Sequence, residues 1–524
     1  MGLFSRKDKS RRGDASLPTS QSTNSFNSST SRSGVNRVSA GSITPASPLS
    51  PLSPTKLPKM DLPRPPDPQL DPAGYLRNLG AVRERTKLVF DKVMDNSLHH
   101  FDVDMAKFPD VVTFVSGLIK RDYDAPFTTI PGHGRYQHFC VGGRDRIADL
   151  LSTWPSTVDN TERCRRLIDL FLISVLLDAG AGTSWSYKSN ENGKVYRRSE
   201  GLAIASLEMF KAVSARYPAS KRHIDTIKGL FSGNPENKYQ VDFQGLAKLT
   251  VDQLAVGLQS KPGNALAGLD GRTDLLLKLS NALKSKAEFF GETGRPGNMV
   301  DHLLSHPSTQ ASSILIVPLP VLWNVLMSGL APIWPESRTS IDGISLGDAW
   351  PCSSMPQGAA PWESIVPFHK LTQWLTYSLM QPMQSLLNMH FAGTELLTGL
   401  PEYRNGGLFI DIGVLTLKKD DSERGLENYS DYCRRTGVKG VEVAPMFEPS
   451  DDVISEWRAA TVGLLDHLTL EVNKYLKKEL AGNEMTLAQL LEAGSWKGGR
   501  EIAEINRPNT KEPPILIESD GTVF

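Results

Sequence analysis

Arg163-Cys164-Arg165-Arg166-Leu167-Ile168-Asp169-Leu170-Phe171-Leu172-Ile173-Ser174-Val175-Leu176-Leu177-Asp178, closed by Ala179-Gly180-Ala181-Gly182, is the stretch on which the fold turns. Its apolar core, Leu167 to Leu177, holds only Asp169 and Ser174 as polar interruptions. That run is too short to cross a bilayer. It reads as a largely buried helix, and the small-residue tetrad with two glycines stops it. Helical spacing extends outward on both sides. Leu76, Leu79, Val82, Thr86, Val89 and Val93 recur at intervals of three and four. Ser199-Glu200 opens a helix toward Val213, and the segments 250–258, 272–290, 299–304, 363–387 and 455–480 carry the same period. Alternating patterns are confined to Ile314–Leu319 and Leu408–Leu417. The expectation is a mainly α, multi-helix body over residues 71–524 with one or two small β elements. Residues 332–340 and 349–361 read as loops rich in Pro, Ser and Gly.

The first seventy residues differ in kind. Residues 1–60 hold 9 Lys and Arg, 2 Asp and Glu, 15 Ser and 5 Thr, a local charge of +7 against −7 for the remainder. Such a stretch cannot bury enough apolar surface to offset its ordering entropy. Residues 1–70 are therefore expected to be a disordered tail, with Ser-Pro pairs at 47, 50 and 53 open to proline-directed phosphorylation. The whole chain balances 58 Lys and Arg against 58 Asp and Glu over 524 residues, which argues against a protein that clamps a nucleic-acid strand along its surface. The four cysteines form no Cys-x-x-Cys pair, and no His cluster accompanies them, so neither a zinc site nor a disulfide framework is expected. With no signal-peptide core and no spanning segment, a cytoplasmic location follows as an expectation.

Phosphate loops of the Walker type, His-Glu-x-x-His and Gly-x-Ser-x-Gly are absent. Gly263, Gly268 and Gly271 ahead of Arg272 fit either amides aimed at a phosphate or a plain turn. Polar groups instead crowd into apolar segments: His133, Arg135 and His138; Trp185, Ser186 and Tyr187 with Glu200; His369 and Lys370 with Gln373, Trp374 and Tyr377; Glu402, Arg404 and Asp411; Glu456 and Arg458. Taken singly, each is more often a structural ion pair or surface group. Together they fit a cleft for a small, hydrogen-bonding ligand.

The strings Phe368-His369-Lys370-Leu371-Thr372-Gln373-Trp374-Leu375-Thr376-Tyr377-Ser378-Leu379 and Gly399-Leu400-Pro401-Glu402-Tyr403-Arg404-Asn405-Gly406-Gly407 resemble the fungal and bacterial family called uracil catabolism protein 4. Residues 440–450, Glu456-Trp457-Arg458-Ala459, Trp185-Ser186-Tyr187, Gly268-Leu269-Asp270-Gly271-Arg272 and Arg295-Pro296-Gly297 look like further blocks of it, over most of the chain from about residue 70. The resemblance implies a part in recovering nitrogen from uracil by way of a ribosylated urea. A weaker resemblance is to the queuosine-salvage nucleotide N-glycosidases. It rests on Phe368, Lys370, Gln373 and Leu375, on Leu397-Thr398 with Glu402-Tyr403-Arg404, and on Glu456 and Arg458, in the same order along the chain. Ser378 stands where that family has Asp, and Glu402 replaces another Asp.

Together these resemblances imply hydrolysis of an N-ribosyl bond through an oxocarbenium-like transition state. Glu402 is then expected to stabilise or attack the developing cation, with Asp411 or Glu456 as the partnering carboxylate. Arg404 and Arg458 would grip a phosphate or hold the carboxylates, with Arg404 favoured as the ligand contact. Trp185, His369, Lys370, Gln373 and Tyr377 would line the substrate. No metal and no cofactor are expected, and the ligand is a nucleotide-derived small molecule. The rival expectation is a non-catalytic partner of another uracil-catabolic enzyme.

Overall fold

In a computed structural model of the chain, the described residues are 60–182, 184–212, 230–234, 237, 239–311, 314–437 and 442–518. The expected tail thus lies outside the described residues up to position 59. Residues 60–70 are described, and there Leu62 lies against Gly393 and Pro65 beside Gly80, so this part of the stretch packs on the body.

The body is helical, as its periodicity predicts. The helices that position the site are α1 (Leu79–Met94), α2 (Asn160–Leu176), α3 (Arg198–Ala212), α4 (Lys370–Leu387), α5 (Tyr403–Asp411), α6 (Asp452–Tyr475) and α7 (Trp496–Asn506). Helix α2 is capped by Asp159, which accepts from the Glu162 amide, and it buries every residue from Leu167 to Leu176. It lies along α4, whose first turns are equally buried, and these two helices form the middle of one continuous apolar core. Helix α6 packs on α1, and α5 packs on α7.

The two polar residues inside the apolar run of α2 are tied down. Asp169 accepts from Arg295 Nε and from the Gly297 amide, each at 2.7 Å. Ser174 Oγ accepts from Arg135 Nε at 2.8 Å and from Ser206 at 2.7 Å. Arg272 closes the end of α2 by donating to the carbonyls of Leu177 (3.2 Å), Ala179 (2.7 Å) and Gly180 (2.9 Å). A guanidinium there satisfies orphan carbonyls at the negative end of the helix. Gly263 and Gly268 thus lie in turns, Gly268 at φ 65 as the N-cap, and Gly271 lies in the first turn of the helix Leu269–Ser285 that delivers Arg272 to this end.

β structure among the described residues is small but split into six sheets, more pieces than expected. The largest has three strands, with Leu315–Pro318 between Met389–Ala392, parallel to it, and Gln310–Ala311, antiparallel. Two sequence expectations are corrected. The segment 363–387 is not one helix, because Ile365–Pro367 pairs with Ala349–Pro351 and α4 starts only at Lys370. The segment 408–417 is not one strand. Residues 403–411 are helical because Glu402 caps them, and only Leu415–Leu417 is extended, against Phe101–Val103. Gly406 and Gly407 stand inside this helix although glycine disfavours helix interiors. Gly406 is needed because any Cβ would come within 2.8 Å of the Trp457 ring and of Thr461, so the residue lets α5 lie on α6. Gly499 of α7 meets the backbone of Arg404 in the same way.

Candidate functional site

Glu402 occupies the N-cap of α5. Its two carboxylate oxygens accept from the amides of Arg404 (2.9 Å) and Asn405 (2.6 Å). The side chain is only partly exposed. Burial raises its pKa above the ordinary carboxylate value, opposed by the two amides and by the charges of Lys370 and Arg404. Lys370, in the first turn of α4, is pushed the other way by burial, against the pull of Glu402, Asp178 and Asp348. Glu402 and Lys370, at the N-termini of two helices, thus act on each other's charge.

The segment carrying Glu402 is held from four sides. Gln373 Nε2 donates to Thr398 Oγ1 at 3.0 Å, and Tyr377 OH donates to the Thr398 carbonyl at 3.0 Å. Asn405 Nδ2 donates to the Leu400 carbonyl at 3.0 Å. Arg458 Nε reaches the Pro401 carbonyl at 3.2 Å.

A second carboxylate, Asp178, follows the end of α2, and its charge acts on Lys370. Asp178 has Oδ2 on Arg135 Nη1 at 2.8 Å, and the Ser199 hydroxyl also steadies it. Its Oδ1 is buried and has no hydrogen-bond partner among the described residues. Burial raises this carboxyl, with Arg135, Ser199 and Lys370 opposing and Glu200 adding to the rise. Arg135 is fully buried and also donates to Ser174 O and to His138 Nδ1. His138 lies between the rings of Trp374 (5.7 Å) and Trp496 (5.3 Å). Burial drives its pKa well down, so the ring is neutral, with Nδ1 as acceptor and Nε2 buried without a partner among the described residues. Arg198, Glu200, Arg404 and Arg500 act on this cluster through their charges, and Arg500 pairs with Glu200.

Of the residues named from sequence, Glu402, Lys370 and Arg404 come together here. Gln373 and Tyr377 stand beside them but face Thr398. The others lie in closed structural contacts. Asp411 holds Arg507 through both oxygens, at 2.7 and 2.5 Å. Glu456 is fully buried and accepts from the amides of His99 (2.8 Å) and His100 (2.7 Å) and from Ser354. Arg458 forms a bidentate pair with Asp348, at 2.8 and 2.7 Å, and stacks over Phe368 at 4.1 Å. Asp348 is held well below the usual carboxylate range. Burial works against that, but Arg458, the Lys370 amide and Trp350 outweigh it. Trp185 is buried, and its Nε1 donates to the Leu258 carbonyl at 2.8 Å. His369 sits at φ 48 with Nε2 on the Leu76 carbonyl at 2.7 Å, and burial lowers its pKa to about 4.

Asp178 was not among the residues expected in the site, and Arg135 entered only as one of the polar groups that fit a cleft, with no role of its own. The available signal was a carboxylate ending an apolar helix and an arginine inside a His-rich string. Among the described residues, no group of three or more His, Cys, Asp or Glu is placed to hold a metal ion, and no helix is long and apolar enough to cross a membrane.

Residues 75–524 match the family model described as "Protein of unknown function (DUF1688)". The chain is similar to uracil catabolism protein 4 of Lachancea kluyveri, at 43% identity over 462 residues, covering 87% of this chain and 99% of that protein. It is also similar to protein urg3 of Schizosaccharomyces pombe, at 44% identity over 450 residues, covering 86% and 98%. Glu402, Lys370, Asp178 and Arg135 all fall within the matched region, and the chain belongs to the DUF1688 family, that of uracil catabolism protein 4.

Proposed function

We propose that this protein acts in uracil catabolism, in the cytoplasm, by hydrolysing the N-ribosyl bond of a ring-opened uridine nucleotide such as ribosylurea phosphate. Water adds at C1′, the C1′–N bond breaks, and the leaving nitrogen takes a proton, giving urea and ribose phosphate. One observation carries the reading. Two carboxyls whose pKa burial raises, Glu402 and Asp178, both act on the charge of one half-buried lysine, Lys370, and Asp178 keeps an unpartnered oxygen among the described residues. A pair of carboxyls is what oxocarbenium chemistry uses. Glu402, fixed by two amides and beside Lys370, takes the ionised role at the anomeric carbon. Asp178, whose proton burial favours, serves as acid toward the leaving nitrogen and then as base toward water. The name of the Lachancea relative, uracil catabolism protein 4, supports the pathway. The test is incubation of the purified chain with synthetic ribosylurea and its 5′-phosphate, with urea as the product measured. Urea release abolished by Glu402→Gln supports the reading, and no urea from either compound refutes it.

A further inference from the structure

Two guanidiniums beside the polar cluster share a single acceptor. Arg404 Nη1 donates to the Lys511 carbonyl at 2.8 Å, and Arg198 Nη2 donates to the same oxygen at 3.2 Å and to the Thr510 carbonyl at 3.2 Å. Neither makes any other hydrogen bond, nor an ion pair with a carboxylate, among the described residues. Each therefore keeps most of its five N–H donors uncommitted. Arg404 is nearly buried, at 5% exposure. Burial lowers the pKa of Arg198, and the charges of Arg404 and Arg500 lower it further, with Glu512 and Tyr403 opposing. The backbone carries the same message. Arg198 lies at φ 53 and Lys511 at φ 58, in the left-handed region that non-glycine residues avoid. Strain of this kind persists where surrounding structure imposes it, and it gathers at ligand sites.

We propose that Arg198 and Arg404 form a subsite for a phosphate monoester, the 5′-phosphate of the ribosyl substrate. This rests on the hydrolytic reading above for the rest of the ligand. The two like charges are brought together on one neutral carbonyl, an arrangement that a dianion stabilises far better. Guanidinium forks match phosphate oxygens in pairs, which lysine cannot do. The carbonyls of Thr510 and Lys511 hold the two forks in place and leave their remaining donors for the ligand.

The test is calorimetric titration of the full chain with ribose 5-phosphate, inorganic phosphate and ribose. Ribose 5-phosphate should bind and ribose should not. Inorganic phosphate should compete with ribose 5-phosphate, which separates the anion from the sugar as the source of affinity. Arg198→Lys and Arg404→Lys should each weaken ribose 5-phosphate at least tenfold while remaining folded by circular dichroism. Arg435→Lys, an exposed arginine paired with Glu518, controls for general loss of guanidinium and should bind normally. Equal binding of ribose and ribose 5-phosphate, or unchanged binding in both Arg→Lys variants, overturns the subsite. If either variant fails to fold, raising ionic strength on the unaltered chain replaces it: binding that is indifferent to salt overturns the proposal, and steep weakening supports it. Loss of ribose 5-phosphate binding in the variants, with no urea released by the unaltered chain, keeps the subsite and discards the hydrolytic reading.

Discussion

Glu402 holds two positions at once, helix cap and member of the polar cluster, and two substitutions separate them. Glu402→Gln keeps the shape but leaves one oxygen where two now accept from Arg404 and Asn405. Its amide group would face a backbone N–H, so one cap bond is lost. That costs about 1 kcal/mol, partly offset because a desolvated charge is also removed. A loss of about 1 kcal/mol lowers the melting temperature by only about 1 °C in a chain of this size, because the unfolding entropy grows with length. Turnover should fall by at least a hundredfold, about 2.7 kcal/mol at ~1.36 kcal/mol per tenfold, since a carboxylate no longer meets a developing cation. Glu402→Asp makes the complementary change. Asp is among the best N-cap residues, so stability should be preserved. The carboxylate retreats by one methylene, and a displacement of that order can itself cost about a hundredfold. The assays are urea release and thermal melting of both variants beside the unaltered chain. If Glu402→Asp melts normally and turns over within tenfold of the original, Glu402 is only a cap and the reasoning fails.

Asp178→Asn should also lower turnover by about two orders of magnitude. Because the acid works in its protonated form and burial raises its pKa, activity in the unaltered chain should fall as pH rises through that value. A pH–rate profile of the Asn variant that keeps the same alkaline limb would exclude the assignment. Arg458→Lys breaks a bidentate buried pair and loosens the Pro401 carbonyl, so it should destabilise by about 3 kcal/mol or more. It should also impair the phosphorylated and unphosphorylated substrates alike. A selective loss on the phosphorylated one would place Arg458 at the ligand. His100 binds Asp452 and Asp421 through both ring nitrogens, at 2.8 and 2.9 Å, and the bond to Asp452 leads in raising its pKa to about 9. Its stabilising contribution is complete below about 6.5 and disappears as pH rises from there to about 9. At ~1.36 kcal/mol per pKa unit this amounts to at most about 3 kcal/mol. His100→Gln should flatten the fall in stability over that window in urea melts, and an unchanged slope would assign the fall to other groups.

The buried helix α2 was legible because length and continuous apolarity leave few alternatives for such a run. Its exact companions were not. Asp169 and Ser174 signalled only that the run was not a membrane span, and their partners Arg295 and Arg135 lie far off in sequence. Glu402 was found through its string of neighbours rather than through any spacing rule. Asp411 and Glu456 looked equivalent to it on paper. What separates them is Arg507, His99, His100 and Ser354, contacts that no local pattern encodes. Asp348, the anchor of Arg458, sits at the edge of a stretch read as loop. Asp178 stands in the sequence only as the last residue of a buried helix.

The two carboxyls of the cluster hang from carbonyls gripped by arginines: Arg272 on either side of Asp178, and Arg458 just before Glu402. Each grip comes from farther along the chain, and Arg458 in turn depends on Asp348. The site is therefore ordered in time as well as in space. Synthesis from the N-terminus delivers Asp178 early, leaves its flanking carbonyls unheld until Arg272 emerges, and cannot fix Glu402 until residues beyond 458 have left the ribosome. The Lys511 carbonyl that gathers Arg198 and Arg404 arrives last of all. Contacts this distant in sequence close slowly. On refolding, helix signal should return before activity, and a chain cut short of residue 511 would carry both carboxyls without the geometry that joins them.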